Sequence, residues 1–146
     1  MSAATRTRQD GEAGTIVLWL LGLCVMLLFV GGISTDLWRV LSERRALAGI
    51  ADAASIAGAS ALDELAFRTT GAVALAPAEA RARALEILAA QTDRSALTAA
   101  DAFATPEAIT VVVEGAVPLT LMRVLLPDAP DVALRVEATS RPRPDR

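Results

Sequence analysis

Asp63 and Glu64 are the first candidates for chemistry in this chain, because two neighbouring carboxylates could divide general acid and base work. Adjacent positions on a helix do not face each other, however, so the pair reads better as a charge cluster at a helix end. Cys24 is the sole cysteine and lies inside an uncharged run, which rules out an intramolecular disulfide. It reads as a small apolar residue facing lipid or another helix, with palmitoylation or redox chemistry as the alternative. The 146 residues contain no histidine and no lysine, so the commonest general base and the Schiff-base amine are both missing. No metal-ligand spacing and no phosphate-cradling glycine loop is present. The expectation is a chain with no catalytic residue, no cofactor, no metal site and no small-molecule substrate. Its function must rest on surfaces.

The largest such surface is near the N-terminus. From Gly14 to Ser34 the sequence GTIVLWLLGLCVMLLFVGGIS runs 21 residues without a charge. About 20 apolar residues in a helix match the hydrocarbon thickness of a bilayer, and in lipid a lone spanning segment has to be helical to satisfy its own backbone. A cleavable signal has a shorter apolar core and an A-x-A-like site, whereas here the run ends in Ser34-Thr35-Asp36-Leu37-Trp38. A lipoprotein signal needs a small residue before its cysteine, and Leu23 stands there. A buried core helix would need more protein around it than the remaining chain supplies. The segment is therefore expected to be a membrane anchor, in contact with lipid.

Beyond it lie about 110 residues, enough for one small domain. The chain is 53% hydrophobic but only 3% aromatic, so any core is built from alanine and branched aliphatics. The net charge of −3 lies beyond the anchor, because Arg6 and Arg8 offset Asp10 and Glu12 before it. No concentrated basic face suggests nucleic acid as a partner.

The helical pattern continues past the anchor. Ile33, Leu37, Val40, Leu47, Ala51, Ala54, Gly58, Ala61 and Leu65 alternate in steps of four and three, with Arg44 filling the one gap. No proline interrupts residues 15–65, and alanine favours the helix. One helix of about 50 residues, near 75 Å long, is expected. Asp36, Arg39 and Glu43 are spaced to pair on its outer face, as a solvated face just above the bilayer. Pro77 opens a second helix over 78–91. Residues 92–105 read as irregular with at most a short strand. Residues 108–114 and 132–139 read as strands. The apolar stretch 118–127 between them reads as a short helix on the bilayer surface or over the sheet, and the proline-alternating tail as disordered. The fold class is thus α+β: a transmembrane helix continuing as a long helix, then a small domain with a second helix and a short antiparallel sheet. The expected divisions are an arm over 1–13, the transmembrane helix over 14–35, its extension over 36–68, the α+β domain over 69–140 and a tail over 141–146.

The run Gly31-Gly-Ile-Ser-Thr-Asp36-Leu-Trp-Arg39, then Glu43-Arg-Arg-Ala-Leu47, then Ala51-Asp-Ala-Ala-Ser-Ile-Ala57-Gly58-Ala59 resembles the N-terminal signature of the TadE/TadG-like proteins of Flp (tight adherence) pilus assembly. The resemblance spans about residues 12–62. It implies structural, helix-packing roles for Gly31, Gly32, Asp36, Arg39, Arg44, Arg45, Leu47, Asp52, Ala54, Ala57 and Gly58. It also implies a minor pilin-like component in a bacterial cytoplasmic membrane, with pilin-like or pilus-assembly membrane proteins as partners. The N-terminus would lie inside and the domain outside, although Arg39, Arg44 and Arg45 outnumber Arg6 and Arg8 and lean the other way. The chain departs from prepilins in offering Ile16 and Trp19, not glutamate, five residues after Gly11 and Gly14. A second function fits the same anchor: a regulatory binding module for another envelope protein, acting through the domain and its apolar Leu119–Leu126 segment.

Overall fold

The computed structural model describes residues 6–91 and 96–143, and is α+β. Helix α1 (Arg6–Ala59) is followed by α2 (Glu64–Thr70), α3 (Pro77–Ala89), β1 (Leu97–Ala104), β2 (Ile109–Val117), α4 (Thr120–Leu125) and β3 (Val132–Ser140). The first five residues of the arm, residues 92–95 of the segment expected to be irregular and the last three of the tail lie outside the described residues.

At 54 residues α1 is about 80 Å long. It stops at Ala59 and does not reach residue 68. The Ser60 hydroxyl donates back to the Ala57 carbonyl, and the Ser60 and Ala61 amides close on the Ala57 and Gly58 carbonyls. Asp63 then accepts from the Ala66 amide at 2.9 Å and caps a new helix, α2, within which Glu64 pairs with Arg68. The Asp63-Glu64 pair is thus a helix-end cluster. Gly71, at φ 72°, ends α2 in the left-handed conformation that glycine adopts without a Cβ clash.

The three strands form an antiparallel sheet in the order β1-β2-β3. β2 is central, and Ile109, Val111, Val113, Gly115 and Val117 alternate toward the core. Against that face lie Leu47, Ile50, Ala51 and Ala54 of α1 and Ala80, Ala84 and Leu88 of α3, the last three at four-residue spacing. Arg81 of α3 reaches β1, donating to the Ala102 carbonyl and pairing with Asp101. The Ala102 amide, and then Arg81, hold the Asp101 carboxyl below the usual carboxylate range. The opposite sheet face carries polar pairs, among them Glu114–Arg135 and Thr110–Thr139.

β1 is a full eight-residue strand where the sequence suggested irregular chain. Its sequence, LTAADAFA, has one β-favouring aromatic and four alanines, so neither propensity nor alternation announces it. Pairing with β2 imposes the conformation.

Small residues set how closely the helices approach. A Cβ on Gly58 would collide with Ile109 Cδ1 and lie 2.8 Å from the Ala80 carbonyl oxygen, whereas one on Gly49 would meet nothing within 4 Å. Gly58→Ala should therefore destabilise the full chain in detergent micelles by about 1–3 kcal/mol, the usual cost of overpacking. Gly49→Ala should stabilise it by up to about 1 kcal/mol through helix propensity. Urea unfolding followed by protease resistance checks both.

Candidate functional site

The feature that joins membrane helix to domain is built around Asp36. Helix α4 begins after Leu119, whose side chain cannot cap it. The first amides of a helix have no partner within the helix and are ordinarily met by a polar cap. Here Asp36 supplies that cap from α1. Its carboxylate accepts from the Leu121 amide at 3.0 Å and from the Met122 amide at 2.8 Å, and is only 4% exposed. One turn further along α1, the Arg39 guanidinium donates to Thr120 Oγ1 at 3.0 Å. Below Asp36, Leu121 rests on Gly32, with carbon atoms 3.6 and 3.7 Å from where a Cβ would sit.

This corrects the reading of Asp36 as part of a paired, solvated outer face with Arg39 and Glu43; Arg39 itself is exposed. Asp36 occupies the seam position that the four-and-three pattern gave to its neighbour Leu37, which is 57% exposed. A carboxylate can sit there because two backbone N–H groups compensate its lost hydration. The neighbouring hydroxyls are also satisfied within the helix: Ser34 donates to the Val30 carbonyl and Thr35 to that of Gly31.

The other signature residues divide into two groups. Leu47, Ala54 and Gly58 are buried in the core, and Ala57 is half-buried beside them. Gly31, Arg44, Arg45 and Asp52 are exposed, and nothing lies within 4 Å of a Cβ built on Gly31. Of the expected seam, Leu47, Ala51, Ala54, Gly58 and Ala61 are buried and Val40 half-buried, while Ile33 is 48% and Leu65 73% exposed. Sequence reasoning missed the partners of Asp36, namely Thr120, Leu121 and Met122, and the buried contact of Ser55 with Ser140 at 2.8 Å. Leu119-Thr120 opening a helix without its own strong cap was the available signal for the first. Among the described residues no three His, Cys, Asp or Glu side chains gather as a metal site.

From Ile16 to Val30 every large apolar side chain of α1 is exposed, between 43% and 78%, so the protein itself buries none of this stretch. Among the described residues one helix is long and apolar enough to cross a membrane. Fold and site together define an α+β protein on a single apolar anchor helix, with the domain latched to the top of that helix.

Residues 14–61 match the family model Tad, described as putative Flp pilus-assembly TadE/G-like. The resemblance read from residues 12–62 thus holds over almost that whole stretch, about a third of the chain, which is similar to a family described by its place in Flp pilus assembly. No curated protein and no solved structure matches the chain.

Removing the Asp36 carboxylate leaves two amides without acceptors, at a cost of about 1–3 kcal/mol. Asp36→Ala should release α4, seen as faster hydrogen exchange at the Leu121 and Met122 amides. Asp36→Asn keeps an acceptor oxygen and should retain part of the protection.

Proposed function

We propose that the protein is a pilin-like minor structural or assembly component of an Flp-type pilus or a related secretion system, acting through helix packing in the membrane. The observation that carries this reading is where the family match falls: residues 14–61 cover the exposed half of α1 and the half packed on the sheet, and stop short of α3 and the strands. A module working through its C-terminal domain would have its characteristic residues elsewhere. The partners are other pilin-like or pilus-assembly membrane proteins. The anchor spans about residues 14–35 in a bacterial cytoplasmic membrane, with the N-terminus inside and the domain outside.

Helices associate in lipid by close approach at small residues. Gly31 is the open one, since a Cβ built on it would meet nothing within 4 Å. Gly32 is covered by Leu121 of the same chain, so it serves the latch first. Gly31→Leu should sharply lower recovery of partners co-purified from mild-detergent membranes while leaving insertion and the α4 latch intact. Gly32→Leu should instead push α4 away from α1. Undiminished recovery with Gly31→Leu would remove helix packing at this site from the account.

A further inference from the structure

We propose that α4 is a second membrane-contacting element, held at the headgroup level of the leaflet from which α1 emerges, with Leu121, Val124 and Leu126 entering the lipid interface. The inference rests on the anchor and not on the pilus role. Leu121 touches Gly32, a residue still inside the uncharged run of α1, so α4 is fixed where the anchor leaves the hydrocarbon. Two further apolar side chains at its end do not turn inward: Val124 is 77% and Leu126 60% exposed. A concave apolar surface between the two helices is lined by Leu28, Gly32, Leu121, Met122 and Val124. Leu28 lies one helical turn deeper than Gly32, so this surface opens along the anchor and is continuous with the surface that lipid covers.

The tryptophans fix the depth. Trp19 and Trp38 are 78% and 67% exposed, and their 19-residue separation spans about 28 Å along a helix. Tryptophan favours the two membrane–water interfaces, and about 30 Å is the thickness of the hydrocarbon between them. That bracket lies a few residues toward the domain from the uncharged run, and whether the upper limit is taken at residue 35 or 38, Gly32 and Asp36 stay within about 10 Å of the upper interface, with α4 beside them. Polar groups at that depth need internal partners, and these have them: the Ser34 and Thr35 hydroxyls, the Asp36 carboxylate and the two α4 amides it receives. Arg123 is paired with Asp131 at 2.7 Å, and Arg39 sits at Thr120, at the height of the headgroup phosphates. Interfacial elements of this kind bury their apolar side about 5–10 Å into the headgroup boundary.

The test uses the full chain with Cys24→Ala, carrying Val124→Cys labelled with an environment-sensitive fluorophore. The protein is reconstituted alone in phosphatidylethanolamine–phosphatidylglycerol vesicles containing lipids spin-labelled near the headgroup. Phe103→Cys, on the sheet surface and 58% exposed, is the comparison, and Leu126→Cys is a second reporter in case Val124→Cys disturbs the fold. The expected result is blue-shifted emission and a large loss of signal to the spin-labelled lipid at position 124 or 126, with neither at 103. Quenching of the α4 reporters by aqueous iodide to the same extent as position 103 would overturn the proposal. Shielding from both quenchers would also overturn it, because a second copy of the chain would then be covering α4.

Discussion

The carboxylate of Asp36 accepts hydrogen bonds from two backbone amides that lie 85 and 86 residues further along the chain. Through them the connection between β2 and β3 is fastened to the point where α1 leaves its apolar run. The sheet cannot rotate about the helix while that connection is held at one end and Gly58 is wedged under Ile109 at the other. Everything between these two points is packed along a single face of α1. An elongated helix and a small domain thereby become one unit, which a core built largely from alanine would hold less firmly by itself.

The same helix has to serve two environments with one backbone. From Ile16 to Val30 it offers large apolar side chains on every side, which suits lipid. Its second half offers Leu47, Ala51, Ala54 and Gly58 to the sheet and charge elsewhere, which suits water. The change occurs within about two turns, where Gly32 admits Leu121 and Asp36 meets α4. Gly32, Asp36 and Arg39 are all spent on this handover, which holds the domain in position on the helix.

Much of this was legible from the residues. The uncharged run, the alanine pattern of α1, Pro77 at the start of α3 and the β-branched AITVVVE each follow local rules, and the elements form where those rules put them. The failures share a cause, which is contact over long sequence distance. β1 takes its shape from β2, against the preference of its alanines. Asp36 is buried because of residues 121 and 122, and no local pattern on α1 could distinguish it from a solvated charge. The end of α1 at Ala59 was readable in principle, from Ser60 and from Asp63 as a cap, but the continuing apolar spacing to Leu65 masked it. Of the signature residues, the glycines proved hardest to separate by sequence: Gly31 and Gly32 are neighbours, yet one is open and the other covered.

The most direct test of the central claim is to ask which surface of the protein meets its partners in native membranes. A photo-crosslinking residue would replace Leu27, which is 62% exposed one turn below Gly31, and in a parallel protein would replace Phe103 on the sheet. Illumination followed by identification of the adducts should join position 27 to pilin-like or pilus-assembly membrane proteins. Adducts to an unrelated envelope protein from position 103, with only lipid captured at position 27, would contradict the account and move the function to the domain.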